Sequence, residues 1–161
     1  MAKIRLLGSF YFLLFLFSAG TALSQPSASR PKPSACSQRA DEYLSGRLAV
    51  WQERLQLQNW RISIVFSHPG DLRPNSLGNI RWDAERKSAV IRVLDPADYQ
   101  WACLEMFADM EFTVVHELIH LALSSLPRNE ANRGSEESAV NRIAQALLTL
   151  DRRQQAPLSK R

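Results

Sequence analysis

Residues 111–125 read EFTVVHELIHLALSS, and this stretch decides the fold of the chain. Apolar side chains fall on nearly every side of a helix drawn through it, which predicts a helix buried in the core. Two of its polar residues, His116 and His120, are four positions apart. They therefore lie on one face of the helix, where both imidazoles can bind one metal ion. Glu117 lies about 100° round the helix from His116, within reach of a water molecule on such an ion.

An HExxH string alone has low specificity, and the alternative is a pair of core histidines hydrogen-bonded to neighbouring backbone. Burying a polar side chain without a partner costs roughly several kcal/mol, and this helix would bury both histidines and a glutamate. A zinc ion satisfies the histidines and gives the glutamate a role as catalytic base. We therefore interpret His116 and His120 as zinc ligands and Glu117 as the base.

A catalytic zinc site usually has three protein ligands, so a third is expected downstream. Metzincins place glycine and then histidine or aspartate at the two positions where this chain has Leu123 and Leu126, which excludes that class. A polar turn follows instead, and then a second helix that opens at Ser135. Its apolar residues keep the spacing of a packed amphipathic helix: Val140, Ile143, Ala144, Leu147 and Leu148.

A second helix that returns a glutamate to the first matches the layout of glutamate zincins. Periodicity does not separate Glu136 from Glu137 as that ligand, because both lie at similar angles from the apolar stripe. Acids in a first helical turn also favour the helix dipole without binding any metal. Glu130, in the preceding turn, is interpreted as a solvated loop residue.

A family resemblance bears on this choice. The run from Glu137 to Leu148 resembles the E-x-x-x-N-x-x-A-x-x-L-L segment that follows HExxH in small bacterial and phage metallopeptidases of the ImmA/IrrE type. The resemblance spans about residues 108–150 and implies that Glu137 is the third zinc ligand. It also implies that Asn141, one helical turn later, hydrogen-bonds a ligating histidine. The activity it implies is zinc-dependent hydrolysis of peptide or protein substrates.

The remaining sequence supplies the other elements of a minimal zincin-like α+β domain, which we place at residues 38–151. We expect an N-terminal helix, a small three-stranded, mostly antiparallel sheet, the HExxH helix and a C-terminal ligand helix. The patterns are a helical stripe at Leu44, Leu48, Trp51 and Leu55, an alternating strand over 60–66, and a hairpin of strands 77–83 and 87–94.

The two ends of the chain predict its location. Residues 1–24 have the charged, apolar and small-residue order of a secretory signal peptide, with an uncleaved membrane anchor as the alternative. Residues 25–37, rich in serine and proline, are predicted to be a flexible lead-in, and 152–161 a disordered basic tail. We therefore expect a periplasmic or secreted protein with no stable membrane insertion after cleavage.

The charge balance and the motifs bear on which classes of binding partner the sequence predicts. Losing residues 1–24 removes two of the 20 basic residues and none of the 16 acidic ones, so the formal charge falls from +4 to +2. That charge balance argues neither for nor against nucleic-acid binding. No nucleic-acid-binding motif is present, so nucleic acid is not expected as a partner.

In an oxidising compartment Cys36 and Cys103 are expected to form a disulfide, the alternative being two free thiols.

Two parts of the proposed chemistry stay open. An edge strand can bind an extended peptide, and either Ser88 to Leu94 or Leu77 to Asp83 is a candidate for it. The donor that stabilises the oxyanion is not identified by any motif; His68 and Tyr99 are the loop candidates. The alternatives to a peptidase are a non-catalytic zincin-like domain that binds a partner, and a zinc hydrolase acting on another bond.

Overall fold

The computed structural model of the chain describes residues 35–74, 76–127 and 129–155. The predicted signal peptide at 1–24, most of the predicted lead-in and the end of the predicted tail lie outside these residues. The described part is an α+β domain, as predicted. Its helices and strands are α1 (Ala35–Arg54), β1 (Arg61–Ser67), β2 (Gly78–Asp83), β3 (Ser88–Leu94), α2 (Cys103–Ala122) and α3 (Arg133–Gln155).

Several helix ends differ from the predicted ones, and α3, for example, begins at Arg133 instead of Ser135. Helix α1 already begins at Ala35, inside the predicted lead-in, and α3 continues to Gln155, inside the predicted tail. The cationic side chains of Arg152 and Arg153 lie in the last turn of α3, where the helix dipole favours positive charge. Helix α2 begins at Cys103, well before the apolar run that predicted it.

The sheet is mixed, in the order β1-β3-β2. Strand β3 pairs antiparallel with β2, as the hairpin predicts, and parallel with β1, with Ile64 opposite Ile91. The prediction of a mostly antiparallel sheet is therefore wrong. A short turn between two strands dictates only their own pairing, whereas the place of β1 depends on how its half-buried face packs on the core. Because β3 is central, only β1 and β2 are edges.

Helix α2 is the centre of the fold, since it packs against β2, β3, α1 and α3. Its apolar residues are buried on nearly all sides, as predicted. The partners that cover it share an apolar stripe or face, and their buried members are Leu44, Leu48 and Trp51 of α1, Ala89, Ile91 and Val93 of β3, and Val140, Ala144 and Leu148 of α3. The HExxH residues therefore lie in a helix that is held from several sides.

A polar cluster ties the three helices together within this core. Glu111 of α2 accepts hydrogen bonds from Tyr43 (2.8 Å), Trp51 (2.8 Å) and Arg47 (2.5 Å) of α1. Arg47 also pairs with Asp151 of α3, which is 3% exposed. Each buried charge thus has a partner on another helix, as the cost of burying an unpaired charge requires. The cluster fixes how α3 lies against α2, and that packing positions the glutamates of α3.

Gly78 allows β2 to approach α2 closely. A Cβ atom at this position would lie 2.3 Å from Cγ2 of Thr113 and 2.6 Å from the backbone oxygen of Arg92. Thr113 is one turn before the HExxH residues, so this contact seats the start of β2 beside them. A side chain larger than hydrogen cannot be accommodated there without moving backbone.

We expect Gly78→Ala to lower the free energy of unfolding by about 1–3 kcal/mol, because overpacking forces backbone to shift. Gly46→Ala is the matched control, since no atom lies within 4 Å of the added methyl group in α1. That change should stabilise by about 0.5–1 kcal/mol through helix propensity. Urea unfolding of both variants measures the difference. Equal stability of Gly78→Ala and wild type would contradict the close packing of β2 on α2.

Cys36 and Cys103 form a disulfide, as predicted. It joins the first turn of α1 to the first turn of α2 across a sequence separation of 67 residues. Closing a loop of this length stabilises a fold by about 4 kcal/mol in the chain-entropy account.

Among the described helices, none combines the length and the apolar character that crossing a bilayer requires.

Candidate metal centre

Three donor atoms from two helices meet at one point. Nε2 of His116 and Nε2 of His120, both on α2, are 3.1 Å apart. Oε2 of Glu137, in the second turn of α3, lies 3.3 Å from the first nitrogen and 3.4 Å from the second. Within the described residues these three form a group able to hold a metal ion. The structure thus brings together the three residues that the sequence predicted as ligands.

The other nitrogen of each imidazole is held by an oxygen from α3. Nδ1 of His116 donates to Oδ1 of Asn141 (3.0 Å), and Nδ1 of His120 donates to Oε1 of Glu136 (3.1 Å). An amide oxygen and a carboxylate only accept hydrogen bonds, so each Nδ1 carries the proton and each Nε2 keeps its lone pair. Both lone pairs therefore face Glu137. These contacts are side chain to side chain, which differs from the alternative of core histidines bonded to backbone.

The electrostatics of the site suit a bound cation. Burial lowers the pKa of His116, and the charge of His120 lowers it further, while Glu137 and Asn141 oppose the shift. A neutral imidazole is the form that binds metal. Two lone pairs and a carboxylate within 3.4 Å of one another repel unless a positive ion lies between them.

Glu117 lies beside this group without belonging to it. It is 8% exposed and faces the same cleft as the three donor residues. Burial raises the pKa of Glu117 to about 7, the negative charge of Glu137 adds to the shift, and Arg73 opposes it. A carboxylate with a pKa near neutrality can both accept and return a proton at physiological pH.

The cleft itself has a volume of about 440 Å³. One wall is α2 with the HExxH residues, a second is the start of α3, and a third is strand β2 with the loop before it. The lining residues outside the donor group share polar or aromatic character for the most part: Arg73, Ser76, Asn79, Trp82, Asn129, Arg133 and Glu136.

Neither loop residue considered as an oxyanion donor lines this cleft. His68 pairs with Asp98 at 2.7 Å, and the hydroxyl of Tyr99 donates to Asp109 at 2.8 Å. Burial and this hydrogen bond raise the pKa of Tyr99, which reflects a packed tyrosine. Each of these side chains is thus engaged by a carboxylate, and neither residue is placed in the wall of the cleft.

Several cleft residues were not identified from the sequence. Glu136 accepts a hydrogen bond from His120. The sequence pattern had suggested only two other roles for it, a metal ligand or an acid that favours the helix dipole. Arg73, Asn79 and Trp82 come from the loop and strand that pack on α2, and no motif connects those segments to the helix. Only the prediction of an edge strand near the active helix pointed to this wall. Of the two candidate strands, β2 is an edge and lines the cleft, and β3 is excluded by its central position.

Comparison with known proteins found no relative of the chain. No protein-family model matches the chain, and no curated protein or solved structure matches it either.

Proposed function

We propose that the chain is an exported zinc metallopeptidase of the glutamate-zincin class. His116, His120 and Glu137 hold the zinc ion, and Glu117 is the general base. The observation that carries the proposal is the triangle of donor atoms, with edges of 3.1, 3.3 and 3.4 Å. Two nitrogen lone pairs and one carboxylate oxygen converge there with no proton between the nitrogens.

The size of the triangle favours zinc. Ligands at about 2.0–2.1 Å from a tetrahedral ion lie roughly 3.3–3.4 Å from one another. The observed edges are close to that spacing. Two imidazoles and one carboxylate are also a ligand set used by catalytic zinc in peptidases, whereas structural zinc sites are usually closed by four protein ligands. Asn141 and Glu136 each accept a hydrogen bond from Nδ1 of one imidazole. Such bonds orient the histidine ligands of zinc sites.

The position of Glu117 supports catalysis over a purely structural site. A structural ion needs no free carboxylate beside its ligands, yet Glu117 is buried against the cleft at considerable cost to its charged form. When bound, zinc supplies a Lewis acid that activates water and polarises a substrate carbonyl. The protein's own contribution is to place one carboxylate where a proton must be moved.

Glu117 accepts a proton from the attacking water as the new bond between water oxygen and carbonyl carbon forms. When the bond between that carbon and the amide nitrogen breaks, Glu117 gives the proton to the leaving nitrogen. The carboxylate is thereby restored, and a carboxylic acid and an amine are the products. Because Glu117 is held in a helix packed on several sides, its carboxylate keeps its position through both steps.

Strand β2 supports a peptide as the substrate. It is an edge of the sheet, and Gly78, Asn79, Ile80 and Trp82 of this strand line the cleft. An extended peptide can add to such an edge through backbone hydrogen bonds, which are indifferent to its side chains. The half-buried ring of Trp82 offers an apolar contact for one side chain of that peptide.

Export is supported by the disulfide between Cys36 and Cys103, since such bonds persist in oxidising compartments. The signal-like order of residues 1–24 points the same way.

A peptide library tests the proposed function without knowledge of the natural substrate. We expect the zinc-loaded mature chain to cleave a diverse peptide mixture, a chelated sample to be inactive, and added zinc to restore cleavage. Mass spectrometry of the products gives the cleaved bonds. A chain that binds zinc but cleaves no peptide would favour the partner-binding domain, and cleavage that persists after chelation would contradict a metal-dependent reaction.

A further inference from the structure

Arg73 lies on the loop before β2, in the wall of the cleft that holds the candidate metal centre. It lines the same cleft as His116, Glu117 and Glu137. The loop is anchored before this residue by the buried side chain of Leu72. After it, the hydroxyl of Ser76 hydrogen-bonds the backbone of Gly78, the residue packed against α2. Arg73 is thus presented to the cleft by a loop that is fixed at both ends.

The guanidinium of Arg73 has unused donors. Among the side chains that the structure describes, which do not include that of Glu130, no carboxylate forms an ion pair with it and no acceptor is hydrogen-bonded to it. By contrast, Arg47 is saturated by carboxylates in the core. The cleft that Arg73 lines also holds Glu117 and the three donor residues. A cation whose five N–H groups have no partner among the described side chains therefore lines the cleft in which a substrate carbonyl would lie.

Two other possible donors of the cleft wall are engaged. The hydroxyl of Ser76 donates to the backbone oxygen of Gly78, and Arg133, the other arginine that lines the cleft, is not without a partner. His68 and Tyr99, the donors suggested by the sequence, pair with carboxylates outside the cleft. Arg73 is therefore the cationic donor of the cleft wall whose N–H groups have no partner among the described side chains.

We propose that Arg73 is a catalytic residue that donates hydrogen bonds to the oxyanion formed when the substrate carbonyl is attacked. This inference rests on the proposed peptidase function and names a residue that the function requires. The carbonyl oxygen gains the electron pair of its π bond as water oxygen bonds to the carbon, and Arg73 stabilises that charge without transferring a proton. The charge returns to the carbonyl when the bond to the leaving nitrogen breaks.

The test uses Arg73→Ala, Arg73→Lys and the control Arg39→Ala in the full mature chain. Arg39 is an exposed arginine of α1 that does not line the cleft. On a peptide that the wild type cleaves, Arg73→Ala should lower kcat by about 10²–10³-fold, the usual cost of losing one oxyanion donor. KM should change by less than about threefold, because the charge develops after binding. Lysine should recover at least about tenfold of the loss, and Arg39→Ala should match the wild type.

Inhibitor binding provides a readout independent of turnover. A phosphonamidate dipeptide carries an anionic tetrahedral phosphorus group that resembles the oxyanion formed in the reaction. Acetohydroxamate binds the metal but has no such tetrahedral group. Arg73→Ala should weaken the phosphonamidate by at least about tenfold and leave acetohydroxamate and zinc content unchanged. Equal weakening of both probes, or a change in KM alone, would overturn the assignment of Arg73 while leaving the peptidase intact. A wild type that neither cleaves peptide nor binds acetohydroxamate would overturn the proposed function, and the assignment with it.

Discussion

Glu117→Gln is expected to keep the fold and the bound zinc and to lose peptide hydrolysis by at least ~10²-fold, the usual contribution of a positioned base. The side chain lies beside the donor group but outside it, so its replacement leaves the three ligands in place. An amide has nearly the same shape as the carboxylate but cannot accept the proton of water. Substrate binding and metal content should therefore remain near wild type while kcat falls.

Initial rates on a peptide selected from the library, with zinc analysis of the same samples, measure this effect. Glu53→Gln is the matched control, because Glu53 is an exposed acid of α1 and does not line the cleft. The control should be as active as the wild type. Equal cleavage by Glu117→Gln and wild type would reject Glu117 as the base.

Removal of Glu137, the proposed third ligand, is expected to have the other large effect. Glu137→Ala deletes an oxygen that lies within 3.4 Å of both Nε2 atoms, so zinc affinity should fall more than in any outer-contact variant. Glu136→Ala deletes only the oxygen that holds Nδ1 of His120, which typically costs about 10–100-fold in affinity. The second variant should therefore still contain zinc at stoichiometric concentrations, and the first should not.

Competition against a chelator of known affinity, combined with metal analysis, separates the two variants. Circular dichroism should show both to be folded, since Glu137 is partly exposed and Glu136 lies outside the apolar core. Retention of zinc by Glu137→Ala together with its loss in Glu136→Ala would reverse the assignment of the ligand.

The parts of the site that depend on one helix could be predicted from sequence. His116 and His120 share a face because of helix geometry alone, and the apolar run around them implies burial wherever the helix packs. The resemblance of the following segment added Glu137 and Asn141. Both lie where that resemblance implies, Glu137 beside the two Nε2 atoms and Asn141 against Nδ1 of His116. These residues needed only the second helix to return to the first.

The parts that depend on contacts between distant segments could not be predicted. The parallel pairing of β1 with β3 depends on how the apolar face of β1 packs on the core, and the hairpin signal carries no information about it. Gly78 lets β2 approach Thr113, a contact that no local pattern encodes, and Arg73 lines the cleft from the loop before that strand. His68 was proposed for its chemistry alone, and its partner Asp98 lies outside any motif considered.

The zinc K-edge X-ray absorption spectrum of the purified mature chain tests the central claim most directly. The proposed site predicts one zinc per chain, with a shell of nitrogen and oxygen at about 2.0–2.1 Å and the outer scattering of two imidazoles. Oxygen from Glu137 and from water completes the shell. Absence of zinc, or a sulfur scatterer at about 2.3 Å, would contradict a centre built from His116, His120 and Glu137.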